Sequence, residues 1–164
     1  MHALDTPPRH LPAAILDAGG GQLSLSPMPV QTRLGDDLTD LRDAGAAVLL
    51  SLVGDDEFGP GGPDAFGARV AAAGLDWLRL PIADYGVPQD AAAVLDDALS
   101  RLGQGQHVAI HCRAGCGRSG MIALRLMVLA GEEPEHALDR LRLRRPCAVE
   151  TEAQRLWASR PARD

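Results

Sequence analysis

The chain has 164 residues, with 16 Lys or Arg against 22 Asp or Glu, and carries a formal net charge of −6. At 46% apolar and 23% charged it has the make-up of one globular domain, and a 3% aromatic share leaves Ala, Leu and Val to build the core. So acidic and aromatic-poor a chain lacks the basic face and stacking platform of a nucleic-acid binder. Its longest helical apolar stretch, Met121 to Ala130, is broken by Arg125 and is too short to cross a membrane. The N-terminus shows no basic-then-apolar signal pattern. The three cysteines, Cys112, Cys116 and Cys147, suggest no secreted disulfide framework. The expected address is the cytoplasm.

In chain order, residues 1–14 contain Pro7, Pro8 and Pro12 without periodicity and predict an extended arm, leaving 15–164 as a single domain. Gly19, Gly20 and Gly21 predict a turn, followed by a short strand over Gln22–Ser26. A helix is expected from Asp36 to Ala44, then a strand buried on both faces over Ala46–Val53. Phe58–Gly67 reads as a loop running into a helix through Ala73. Leu75–Leu80 alternates as a strand, and Ile82–Gln89 is a loop. Asp90 is placed as the N-cap of a helix through Leu102. Gln106–Ile110 is a short central strand. Helices follow over Met121–Ala130, Glu133–Arg144 and Thr151–Ser159. Strands alternating with helices predict a three-layer α/β domain with a central, mostly parallel sheet.

The informative segment is His111-Cys-Arg-Ala-Gly-Cys-Gly-Arg-Ser-Gly120, placed after a strand and opening a helix. A loop there aims backbone N–H groups and the positive end of the helix dipole at one point, which makes an anion cradle. Such a field favours the thiolate of Cys112 over its thiol. Arg118 can hold two phosphate oxygens through its planar fork, and Ser119 can donate a hydrogen bond to the sulfur. His111 is expected to bond backbone groups beneath the loop rather than act as a base. A zinc site from His107, His111, Cys112 and Cys116 fits the spacing poorly. Of Arg140, Arg142, Arg144 and Arg145, the last is singled out as a structural or phosphate-side residue. Cys116 is expected to pack behind the loop, and Cys147 receives no role.

These residues resemble the signature of the cysteine-dependent protein tyrosine phosphatases: His-Cys, five residues, then Arg and Ser or Thr. Upstream, Pro81-Ile-Ala-Asp84-Tyr-Gly-Val-Pro88 resembles the family's mobile acid loop, with Asp84 lying 28 positions before Cys112. Downstream, Arg142, Arg145 and Val149-Glu-Thr-Glu-Ala-Gln154 resemble the stretch that carries a water-positioning Gln. Over about residues 22 to 158 the chain is similar to the small dual-specificity type, particularly the cyclin-dependent-kinase-associated subgroup. It lacks the Trp-Pro before the acid, the tyrosine-recognition loop of the larger enzymes, and the paired cradle lysines of phosphoinositide phosphatases.

The resemblance implies a phosphatase-like α/β fold and a phosphomonoester hydrolase working through a phosphocysteine. Cys112 is then the nucleophile, Asp84 the general acid, Arg118 and Ser119 its helpers, and Gln154 the residue aligning water. The cradle is formed by Arg113, Ala114, Gly115, Cys116, Gly117 and Arg118. No metal or cofactor is implied. The implied ligands are phosphorylated proteins or small phosphoesters, and phosphate, vanadate or sulfate ions. Two other readings are a rhodanese-type sulfurtransferase and a non-catalytic phosphoresidue-binding pseudophosphatase. Asp55, Asp56 and Glu57 are the next candidates for the acid should Asp84 prove structural.

Overall fold

The structure is a computed structural model and describes residues 10–162. Five strands, β1 (Ala14–Ala18), β2 (Gly21–Ser26), β3 (Ala46–Ser51), β4 (Asp76–Arg79) and β5 (His107–His111), form one sheet in the order β1-β2-β5-β3-β4. β1 pairs with β2 antiparallel, and the other three pairings are parallel. The two centre strands carry the near-continuous apolar runs AAVLLS and HVAIH. A strand with a neighbour on each side and helices on its faces has no solvent face to dress with polar residues.

The helices are α1 (Leu34–Asp43), α2 (Gly62–Ala72), α3 (Ala92–Gly103), α4 (Gly117–Leu129), α5 (Pro134–Arg144) and α6 (Glu152–Ala158). α1 and α2 pack against each other and against β3 and β4, while α3 and α4 cover β2 and β5. α5 and α6 pack onto α4, so α4 is buried on all sides from Gly117 to Val128. The mixed sheet with flanking helices agrees with the α/β architecture expected from the sequence. Among the described residues no helix is long and apolar enough to cross a membrane.

Four local expectations need correcting. The arm ends earlier than residue 14: Leu11 is buried, and the Ala13 N–H donates to the Leu25 carbonyl at 3.0 Å. The part of the arm over residues 1–9 lies outside the described residues. β1 was not expected at all. It is an edge strand closed onto β2 by Gly19 and Gly20, whose φ values of 59° and 95° suit the two-residue turn that a hairpin's twist prefers. α2 begins at Gly62, with Pro63 pre-setting its first turn, so the preceding loop is shorter. α3 begins at Ala92 after Ala91 and has no side-chain cap. Buried Ala91 and Leu95 fix its entry through packing, and Asp90 stays exposed.

Candidate active site

Ser26, His111 and Ser51 stand level in the parallel register, at the C-terminal ends of β2, β5 and β3. This is the edge where open parallel sheets bind ligands. Cys112 leaves it directly, and residues 112–116 curl into the first turn of α4. Gly115 makes the curl possible: its φ is +74°, and a Cβ there would stand 2.5 Å from the carbonyl carbon of Ser26.

The carbonyls of residues 113 to 116 are all engaged, by other segments or by α4 itself. Arg113 O accepts from Met28 N at 2.9 Å, and Arg145 donates to Ala114 O and Gly115 O at 3.0 Å each. Cys116 O accepts from Gly120 N at 2.7 Å and from Val149 N at 3.3 Å. In contrast, the N–H groups of residues 113 to 116 and of Arg118 donate to nothing among the described residues. Carbonyls held outward and amides left open at a helix N-terminus make a receptor for an anion. Arg145, singled out from the sequence, is the side chain that holds this orientation.

Cys112 is the one free cysteine and is 3% exposed at the base of the loop. Beneath it runs a hydrogen-bonded chain. Trp77 Nε1 donates to Ser51 Oγ at 2.8 Å, Ser51 Oγ lies 2.6 Å from His111 Nε2, and His111 Nδ1 lies 3.1 Å from Cys112 O. Cys112 O can only accept, so Nδ1 carries the proton and the Ser51 hydroxyl donates to Nε2. Burial pushes the His111 pKa down to about 4, with the charge of Arg118 adding to the effect, so the ring is neutral at physiological pH. His111 is a strut under Cys112, as its place in the sequence suggested.

Arg118 is almost fully buried. Its guanidinium is held by Glu57, with Nη1 to Oε2 at 2.9 Å and Nη2 to Oε1 at 3.0 Å, and Nη1 also donates to Ile82 O at 3.0 Å. Burial works against its charge, but Glu57 more than compensates and its pKa is raised. The same contact holds Glu57 down at about 2 despite partial burial, helped by the Gly54 N–H and Arg113. Asp84, half-exposed on the following loop, lies 3.6 Å from Arg118 Nη2. Its Oδ1 accepts from Tyr85 N at 3.1 Å, and Tyr85 itself holds the strained φ of +61°. A cleft of about 460 Å³ opens between Glu57, Ile82, Asp84 and Arg113.

Two expectations at the site are corrected. Cys116 does not simply pack behind the loop but forms a disulfide with Cys147, their Cα atoms 5.1 Å apart. The bonds from Val149 N and Arg145 to the loop bring the two cysteines together. The Ser119 hydroxyl is buried without a hydrogen-bond partner among the described residues, so the expected bond to the sulfur is not formed. α4 begins at Gly117, which sets Ser119 inside its first turn. Gln154 is fully buried. Its amide oxygen accepts from Glu150 N at 3.0 Å and Thr151 N at 3.3 Å, and Nε2 donates to Gly86 O of the loop that carries Asp84 at 3.3 Å. Among the described residues no cluster of three or more His, Cys, Asp or Glu is arranged to hold a metal ion.

Sequence reasoning missed Glu57 as the partner of Arg118. The usable signal was the run Asp55-Asp56-Glu57 just past the C-terminal end of a strand adjacent to the central one. It also missed Glu150, whose Oε1 accepts from Gly117 N at 2.8 Å.

The family model described as Tc-R-P, polymorphic toxin system DSP-PTPase phosphatase, matches residues 27–132, which include Asp84, Cys112 and Arg118. The chain belongs to this phosphatase family. Protein 067L of invertebrate iridescent virus 3, named as a tyrosine phosphatase, is 34% identical over 96 residues, covering 52% of this chain. The matched stretch covers only 40% of that relative's length. Among solved structures, Tk-PTP in its active form aligns at 28% identity with a TM-score of 0.71, covering 90% of this chain and 94% of Tk-PTP. A kinase associated phosphatase with its catalytic-site cysteine replaced by serine superposes with a TM-score of 0.77 over 88% of this chain and 90% of its own. At 22% identity, that match speaks for the fold alone.

Proposed function

We propose that the chain is a protein tyrosine or dual-specificity phosphatase whose single domain takes in the buried Leu11 and β1, acting through a phosphocysteine. The observation that carries this reading is one loop that presents a free cysteine, five unengaged amides and a buried arginine, with Asp84 beside the arginine. The Cys112 thiolate attacks phosphorus and the P–O ester bond breaks, while Asp84 gives its proton to the departing oxygen. Water then attacks the phosphocysteine, passing a proton to the Asp84 carboxylate as the P–S bond breaks and inorganic phosphate leaves. Loop amides and Arg118 hold the equatorial oxygens, where phosphoryl transfer concentrates charge.

Glu57 fixes the Arg118 fork, and Gln154 positions the acid loop through Gly86. The name of the viral relative, a tyrosine phosphatase, supports a phosphotyrosyl substrate. We place the enzyme's work in the cytoplasm, where kinases supply such esters and reductants would act on the Cys116–Cys147 bond.

The test is phosphate release from an aryl phosphate and from a phosphotyrosyl peptide. Cys112→Ser is expected to abolish turnover yet keep phosphate and vanadate binding, because the cradle is backbone and Arg118 remains. Turnover within tenfold of the parent would refute the covalent route. Thiocyanate formed from thiosulfate and cyanide, with no phosphate release from any ester, would favour the sulfurtransferase reading.

A further inference from the structure

The carboxylates around the loop are not equivalent. Glu57 is neutralised by Arg118 and Arg113. Asp55 is paired with Arg79, and Asp84 stands 3.6 Å from Arg118. Glu150 has no ion pair among the described residues, and its side chain makes a single hydrogen bond there, to the Gly117 amide. That amide belongs to the first turn of the 13-residue helix α4, whose neighbouring N–H groups are the unengaged ones of the loop. An unneutralised carboxylate is therefore held at the N-terminus that the phosphoryl group needs. The side chain is exposed and has room to turn away, although its backbone is tied down by Gln154.

We propose that Glu150 is an internal competitor for the cradle and sets which phosphoesters the enzyme accepts. It fills the Gly117 amide in the free protein and is displaced when the phosphoryl group binds. It also disfavours substrates that carry further negative charge beside the phosphate, and prefers a phosphoester flanked by cationic groups that can pair with the released carboxylate. Asp56 on the cleft wall adds to the same preference. Glu150 thus acts as a specificity-determining residue. The inference rests on the phosphatase reading.

The experiment measures binding of inorganic phosphate and vanadate by calorimetry to the parent, Glu150→Gln and Glu150→Ala. It then compares kcat/KM on two phosphotyrosyl peptides, one with lysine flanks and one with glutamate flanks. Removing a unit charge some 5 Å from a bound oxyanion at the protein surface is expected to tighten phosphate binding by about 5- to 20-fold. Glu150→Gln keeps an oxygen for Gly117 N, so the loop stays capped while the charge goes. The parent should prefer the lysine-flanked peptide, and both variants should narrow that preference, most clearly at low salt.

A purely structural cap predicts the opposite pattern: Glu150→Gln indistinguishable from the parent and Glu150→Ala weaker in phosphate binding. That result, or an equal preference for the two peptides in the parent, overturns the proposal. A parent that neither binds phosphate nor releases it from any ester fails the phosphatase reading instead, so the two failures are separable.

Discussion

Replacing Glu57 by Gln removes the counter-charge of a buried arginine and leaves the volume unchanged. The Glu57 pKa, lowered from 4.5 to about 2, corresponds to roughly 3 kcal/mol favouring its ionised form in the folded protein. Removing one partner of a buried pair costs about 3–5 kcal/mol where nothing replaces it. Gln still offers one oxygen to the guanidinium and Glu57 is partly exposed, so about 2–3 kcal/mol is expected. For a chain of this size that is a fall in Tm of about 5–10 °C.

The group's folded pKa is depressed, so its contribution is complete above pH 4.5 and is lost as pH falls through 2. The gap between parent and Glu57→Gln should therefore be full at pH 7 and narrow below pH 4.5. The variant should also lose about 10- to 100-fold in kcat/KM on an aryl phosphate, because Arg118 is no longer held as a fork. Thermal melting by circular dichroism across pH 3.5 to 7, paired with the aryl phosphate assay, checks both. A Tm within 2 °C of the parent at pH 7, with a gap that does not change with pH, would refute the argument.

Asp84→Asn should slow hydrolysis of a phosphotyrosyl peptide by about 10²–10⁴, and of an activated nitrophenyl ester by far less, since only the poor leaving group needs a proton. Equal losses on both would make Asp84 structural. His111 is neutral in the fold down to pH about 4, whereas the unfolded chain takes a proton below 6.5; stability should therefore fall by up to about 3 kcal/mol as pH drops from 6.5 to 4. Urea midpoints should show that slope in the parent and a shallower one in His111→Asn. The disulfide bridges a sequence separation of 31, so opening it should cost about 3–4 kcal/mol, read as a lower Tm in dithiothreitol and in Cys116→Ser. A Tm unmoved by reductant would show that the hydrogen bonds from Arg145 and Val149 suffice.

What the sequence revealed was what is local. The path from β5 through Cys112 into α4 is one continuous segment, and the spacing of its glycines, cysteine and arginine predicts an anion-binding loop at a helix start. The loop carrying Asp84, bounded by Pro81 and Pro88 after a recognisable strand, was picked out by its resemblance to the family's acid loop, and the fold sets Asp84 3.6 Å from Arg118. Partnerships between distant segments were not. Glu57 looked like one of three exposed acids until the sheet order set β3 beside β5. Cys147 looked idle because the loop carrying it is brought under Cys116 by Arg145 and Val149, contacts that no periodicity encodes. β1 escaped notice because five residues after a proline-rich stretch give too short an alternation to stand out. Asp90 was misassigned because packing of Ala91 and Leu95 outweighed the local preference for a polar cap.

The partners of Arg118 come from widely separated parts of the chain. Its counter-ion lies 61 positions upstream and its carbonyl partner Ile82 lies 36 upstream, each on a different loop. Neither is delivered until β3, β4 and β5 have found their parallel register, which is the slow, non-local step of such a fold. A chain with helices formed but strands unpaired would carry Cys112 beside an Arg118 that nothing holds in place. Such an intermediate should be catalytically silent, so that during refolding phosphate release returns with the last phase, after helical signal has recovered. The arginine thus makes the enzyme its own reporter of completed folding.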